Sequence, residues 1–179
     1  MTVIHFYGAS GSGTSSLGRR LAEKLGFFFM DTDDYYWKPI EPAYTQSRTK
    51  EERLALIRAD FEKHKNCVLS GALCGWGDAL IDDFTLAVRV VTPTDERIRR
   101  LKEREHRKFG ERIDEGGDRY ESHLEFLQWA ARYDEGDLSI RSKMEHDLWE
   151  QKLPCKKLTV DGTLSFEENV EKILKELAE

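Results

Sequence analysis

Residues Gly8-Ala9-Ser10-Gly11-Ser12-Gly13-Thr14-Ser15 follow an apolar run, Val3-Ile4-His5-Phe6-Tyr7, and open a helix-forming segment, Ser16 to Leu25. Strand, glycine-rich loop and helix in that order form the layout of the phosphate-binding loop G-x-x-x-x-G-K-[ST], with Thr14 where the lysine belongs. Glycines let successive backbone N–H groups converge on one point and form an anion-binding concavity. The following helix adds unpaired N–H groups and the positive end of its dipole. Gly8, Ala9, Ser10, Gly11, Ser12, Gly13, Thr14, Ser15 and Ser16 are therefore expected to hold phosphate, with the Ser15 hydroxyl placed for Mg²⁺. Thr14 brings no positive charge to the outer phosphates. A glycine- and serine-rich turn is the plain alternative, but three glycines, the hydroxyl and the strand–helix context all favour phosphate.

Along the chain, strand signals alternate with helical ones. Val3–Tyr7, Phe27–Met30, Cys67–Ser70, Leu86–Val91 and Lys157–Val160 are short apolar runs. Leu86–Val91 is nearly continuous rather than alternating, as expected of a parallel strand covered on both faces. Thr49-Lys50-Glu51-Glu52 fits a capping box ahead of Leu54, Ile57 and Phe61. Ser165-Phe166-Glu167-Glu168 fits a second, ahead of Val170, Ile173, Leu174 and Leu177. Pro93-Thr94-Asp95-Glu96 marks another helix start, acidic in its first turn. Strands alternating with helices predict an α/β fold: a three-layer, doubly wound parallel sheet, with residues 1–179 as one domain. Ligands of such sheets gather beyond the carboxyl ends of the strands, which singles out the phosphate loop, Asp31-Thr32-Asp33-Asp34-Tyr35-Tyr36-Trp37 and Gly71–Gly77.

Composition narrows the class. A net charge of −6 argues against a general nucleic-acid binder. No stretch approaches the length of a membrane span, and the N-terminus has no leader-like pattern. Cys67, Cys74 and Cys155 cannot all pair and match no zinc spacing, so they read as reduced thiols of a cytoplasmic protein. His5, inside the first strand, reads as a core residue. Oligomeric state leaves no signal.

These features resemble the small P-loop kinases that include nucleoside monophosphate kinases, shikimate kinase and gluconate kinase. Asp31-Thr32-Asp33 looks like the Asp-x-Asp segment of shikimate-kinase-type enzymes, and Ser70-Gly71 is similar to their glycine turn at the acceptor pocket. The Asp31–Pro42 run also resembles bacterial proteins labelled adenylate-kinase-related or topology-modulation-like. The resemblance implies a P-loop nucleoside triphosphate hydrolase fold with a helical lid near residues 104–120. It further implies ATP and Mg²⁺ as cofactors, and a small-molecule hydroxyl or phosphate acceptor.

Arg97, Arg100, Arg104 and Arg107 share one helix face. Arginines that close over a transferring phosphoryl group stabilise its charge, and a loop without its lysine needs such cations. Arg104 and Arg107, nearest the glycine-flanked segment, are the first choice. By resemblance, Arg132 is a second arginine on the helix after the lid, whose inward residues are expected to be Leu124, Leu127 and Ala131. A solvated helix with Glu96–Arg100 and Glu103–Arg107 pairs is the plain alternative.

An acceptor hydroxyl must lose a proton as it attacks phosphate, and a carboxylate can take it. By resemblance, Asp31 suits the metal shell and Asp33 the acceptor, while Asp34 caps a turn; turn and cap roles for all three stay open. Tyr35, Tyr36, Trp37 and Trp76 are candidates to stack on the acceptor, and Arg48 and Arg53 to hold a phosphate on it. Two other classes compete. A dinucleotide-binding oxidoreductase fits Gly11-x-Gly13 but has Ser16 at its third glycine. A nucleotide-binding regulatory protein without transferase activity would explain Thr14.

Overall fold

The computed structural model describes residues 1–41 and 44–178; Pro42, the end of the Asp31–Pro42 run, lies outside the described residues. The chain runs β1 (Thr2–Gly8), α1 (Thr14–Leu25), β2 (Phe28–Asp31), α2 (Thr32–Tyr36), α3 (Lys50–His64), β3 (Asn66–Ser70) and β4 (Leu86–Val91). It continues through α4 (Thr94–Phe109), α5 (Tyr120–Ala131), α6 (Lys143–Lys152), β5 (Lys156–Asp161) and α7 (Phe166–Ala178). The strands form one five-stranded sheet in the order β2-β3-β1-β4-β5. Every neighbouring pair is parallel.

Period-two alternation along β1 divides the core between the two faces of the sheet. Val3 and Tyr7 pack with Ile57 and Phe61 of α3 and Trp149 and Leu153 of α6. Ile4 and Phe6 pack with Leu17 and Leu21 of α1 and Val170 and Ile173 of α7. Two helical layers thus cover a parallel sheet, the doubly wound arrangement that the alternating pattern predicts. Leu101 of α4 and Leu127 and Ala130 of α5 form a third, separate cluster. Ala130, not Ala131, is the inward residue of α5 there: Ala131 is exposed. The segment expected as a lid runs through the second half of α4, a 3-10 turn at Gly110–Ile113 and the approach to α5.

Capping follows the sequence closely. The Thr49 hydroxyl accepts from the Glu52 N–H while the Glu52 carboxylate accepts from the Thr49 N–H. Ser165 and Glu168 reciprocate in the same way ahead of α7. His5 is fully buried, its ring stacked on Tyr7 and Phe84, and Nδ1 donates to the Leu69 carbonyl at 3.2 Å. Burial pushes its pKa down to about 4, so it is a neutral core residue. All three cysteines are free thiols. Among the described residues, no helix is long and apolar enough to cross a membrane.

Candidate nucleotide and acceptor site

β1 lies between β3 and β4 and delivers its carboxyl end, Gly8, into the phosphate loop. Gly13 precedes α1 with φ of 100°, a left-handed conformation that glycine reaches without strain. A Cβ added there would meet nothing closer than Arg100 Nη1 at 3.6 Å, so glycine is required by backbone conformation and not by crowding within the chain. The Ser12 N–H donates to the Ala9 carbonyl at 3.0 Å and closes the loop on itself. The first N–H groups of α1 have no intrahelical partner and point toward the loop's mouth.

Beside the loop, the Ser15 hydroxyl donates to Asp31 Oδ2 at 2.7 Å. Asp31 stands at the end of β2 as N-cap of α2, and its Oδ1 accepts from the Asp33 N–H at 3.1 Å. One carboxylate thereby ties the phosphate-loop helix to the segment carrying Asp33. A hydroxyl and a carboxylate in contact are a hard oxygen donor pair of the kind Mg²⁺ uses, with waters and phosphate oxygens completing its octahedron. The residues present therefore fit the ion.

Asp33 lines a cavity of 450 Å³ together with Tyr36, Trp37, Arg53, Trp76, Arg141 and Glu145. Burial, and then the neighbouring Asp31 carboxylate, raise the pKa of Asp33, while Arg141 and Arg104 oppose the rise. Arg53 is the unusual wall of this cavity. It is 8% exposed, its guanidinium lies 3.5 Å from the Tyr36 ring centroid and 5.4 Å from that of Trp76, and Nε has no hydrogen-bond partner. No ion pair of Arg53 exists among the described residues, which leaves a buried cation facing a cavity. Gly71, just before the cavity residue Ala72, packs against Thr32: its φ is 122°, and a Cβ there would lie 1.8 Å from Thr32 Oγ1.

The arginines of α4 divide by depth. Arg97 is 1% exposed and spends its guanidinium on the Thr92 and Ala130 carbonyls, Thr94 and Asp134. Arg100 reaches the Ser12 carbonyl at 3.4 Å and the Gly162 carbonyl at 3.0 Å, with Glu96 holding its Nε at 2.8 Å. Arg100 also lines a 350 Å³ cavity beside the loop, with Ser12, Gly13, Val90, Leu164 and Phe166. Arg104 lines a further cavity with Asp33. Arg107 is exposed and lines none of these cavities. The expected Glu103–Arg107 pair is replaced by Glu103–Arg99 at 2.5 Å.

The sequence pattern of the AAA domain family matches residues 4–122, about two-thirds of the chain, from within β1 through α4 to the start of α5. The uncharacterized protein YqaC of Bacillus subtilis (strain 168) is 39% identical over 171 residues, covering 96% of this chain and 94% of YqaC. The chain belongs to the AAA domain family. Its fold is that of the small P-loop kinases. Shikimate kinase from Acinetobacter baumannii, solved in complex with shikimate, superposes with a TM-score of 0.57 at 18% identity, covering 99% of this chain and 93% of that one. A gluconokinase from Sinorhizobium meliloti 1021 superposes with a TM-score of 0.51 at 20% identity, covering 99% and 91%.

In this AAA-domain protein, the structure brings the phosphate loop, Asp31, Asp33 and Arg104 to one end of the sheet. Arg132 lies apart, exposed at the C-cap of α5. The arginine lining the Asp33 cavity in that part of the chain is instead Arg141, in the connection between α5 and α6. Arg48, a candidate for an acceptor phosphate, donates to the Asp34, Tyr35 and Trp37 carbonyls and caps the end of α2. Tyr35 turns into the core and donates to Asp60 at 2.6 Å, whereas Tyr36, Trp37 and Trp76 remain on the cavity wall. Arg100 and Arg141 were not separable from other surface arginines by sequence. Only its spacing of about one turn from Arg97 and Arg104 marks Arg100, and Arg141 sits outside any periodic element.

Proposed function

We propose that this protein is a cytoplasmic, ATP-dependent kinase that transfers the outer phosphate of ATP to a hydroxyl of a small anionic acceptor. The observation that carries the reading is the Ser15–Asp31 hydrogen bond, which joins a phosphate loop to a second carboxylate, Asp33, at the edge of a cavity walled by Arg53, a buried arginine without an ion pair among the described residues. The loop N–H groups and the helix dipole hold the phosphates, and the 350 Å³ cavity beside Arg100 has the apolar walls to take the adenine ring. Ser15 and Asp31 hold Mg²⁺, which when bound neutralises part of the charge on the outer phosphates. Arg53 and Arg141 hold the anionic group of the acceptor. Asp33 orients the acceptor hydroxyl and takes its proton as the oxygen bonds to phosphorus and ADP leaves. Arg104, beside Asp33, supplies positive charge that Thr14 does not.

Thr14 favours a second reading, a protein that binds ATP without transferring phosphate. The discriminating experiment is ADP release from Mg-ATP in the presence of a panel of hydroxylated carboxylates, sugar phosphates and nucleotides. Acceptor-dependent release supports the kinase. Tight Mg-dependent ATP binding with no release for any acceptor, and a gain of release in Thr14→Lys, supports the regulatory protein.

A further inference from the structure

The end of α4, the turn after it and the start of α5 enclose a cavity of 520 Å³ against Trp37 and Tyr44. Apart from Asp33 and Trp37, its lining belongs to neither the phosphate loop nor the Arg53 cavity. Four aromatic residues, Trp37, Tyr44, Phe109 and Phe126, form its walls, and Ile113 is its one aliphatic residue. The Trp37 and Tyr44 rings meet edge to face at 6.0 Å. Cations sit among them: Lys108 Nζ is 4.5 Å from the Tyr44 ring centroid, and the Arg119 guanidinium is 4.4 Å from that of Phe109. Two hydrogen-bonding atoms are buried here without partners, Nδ1 of His123, a residue 9% exposed, and Nε of Arg119.

Burying such atoms costs free energy unless a ligand or water satisfies them. Flat walls select a flat ring, and unpaired nitrogens select a ring whose edge carries hydrogen-bonding atoms. Asp33 and Trp37 belong both to this chamber and to the Arg53 cavity, so the two meet at the proposed acceptor carboxylate. Resting on the kinase reading above, we propose that the acceptor is a nucleotide. Its base lies in the aromatic chamber, its phosphate on Arg53 and Arg141, and the sugar between them offers a hydroxyl to Asp33. The proton of that hydroxyl passes to Asp33, the sugar oxygen bonds to the outer phosphorus of ATP, and ADP leaves with the bond that breaks. A hydroxy acid or a sugar phosphate fills the Arg53 cavity and leaves the chamber unused.

The test is calorimetric titration of the full chain, saturated with Mg²⁺ and a non-hydrolysable ATP analogue, with four nucleoside 5′-monophosphates and with ribose 5-phosphate. Tyr44 is half exposed, so Tyr44→Ala keeps the fold, which its melting temperature verifies. At least one nucleotide is expected to bind about tenfold or more tightly than ribose 5-phosphate, and Tyr44→Ala to weaken it about tenfold while leaving ribose 5-phosphate unchanged, the scale of one base–aromatic stack. Equal affinity for ribose 5-phosphate and every nucleotide overturns the proposal, as does an equal loss of both in Tyr44→Ala. If no nucleotide binds although the ATP analogue does, the chamber proposal falls and the kinase reading stands. If nucleotides bind through Tyr44 but the ATP analogue does not bind at all, the kinase reading falls and the chamber stands.

Discussion

The Ser15 hydroxyl donates to Asp31 across 2.7 Å, linking the first turn of α1 to the end of β2. Both oxygens belong to residues that would share one cation, so removing the hydroxyl should show as a metal-dependent defect. Ser15→Ala is expected to lower ATP affinity about tenfold or more in the presence of Mg²⁺ and to change it little in EDTA. Titration calorimetry under both conditions checks this; an equal loss in both would make Ser15 a phosphate contact only.

Gly13 combines a φ of 100° with open space where a side chain would project. Gly13→Val forces a β-branched residue into a left-handed conformation and places its methyl groups where phosphate approaches. A large loss of ATP binding, a hundredfold or more, is expected in a variant that still shows the native far-ultraviolet circular dichroism spectrum. Unchanged ATP affinity in the folded variant would remove the phosphate-loop assignment.

Sequence patterns revealed the sheet because each strand is a short apolar run, and they revealed α3 and α7 because Thr49 and Ser165 carry reciprocal caps. They did not reveal α6. Its buried residues are only His146 and Trp149, while Met144 and Leu148 face outward, so its apolar pattern points the wrong way. The phosphate loop and the Asp31–Asp33 pair were legible because their chemistry is local in sequence. The arginines were not. Arg97, Arg100, Arg104 and Arg107 share a face, yet only the tertiary partners of α4 decide that Arg97 is buried structure, Arg100 touches the loop and Arg107 is exposed. Arg53 reads as one charge in a capping-box helix, and its burial against Tyr36 and Trp76 depends on two distant segments.

Position on the cavity predicts unequal roles for Arg104 and Arg107. Both are exposed, but Arg104 shares a cavity with Asp33, whereas Arg107 lines none of the cavities described. Arg104→Ala should lower kcat about a hundredfold with a smaller effect on ATP affinity, because charge on the transferring group develops in the transition state. Arg107→Ala should stay within about twofold. Steady-state kinetics on both variants checks the contrast; equal losses would mean that both contact the nucleotide.

Two buried histidines make the fold acid-sensitive. Burial lowers the pKa of His5 to about 4 and, with nearby cations, that of His146 to about 3. Unfolded histidines take up protons near pH 6.5, but the folded ones resist until these lower values, so the unfolded chain binds more protons between. Stability is therefore complete above about pH 6.5 and falls as pH drops toward 4, with a combined slope of up to about 2.7 kcal/mol per pH unit. His146→Gln keeps a hydrogen-bonding group beside Tyr133, whose hydroxyl lies 2.7 Å from Nδ1, and should roughly halve that slope. Urea unfolding between pH 4.5 and 6.5 measures it, and an unchanged slope would show that His146 is not the acid-sensitive group.

Phosphoryl transfer directed by Asp33 is the centre of the account, and acceptor-dependent ADP release from Mg-ATP by wild type and Asp33→Asn tests it most directly. Burial raises the pKa of Asp33, so its ionised form costs the folded state stability at neutral pH, and the neutral amide relieves that cost. Asp33→Asn should therefore melt at the same temperature as wild type or higher, bind ATP normally and turn over about a hundredfold more slowly. Wild-type kcat/KM should fall on the acid side as Asp33 takes up its proton, and the variant should lack that limb. Near-normal turnover in Asp33→Asn, with the acid limb intact, would contradict the account.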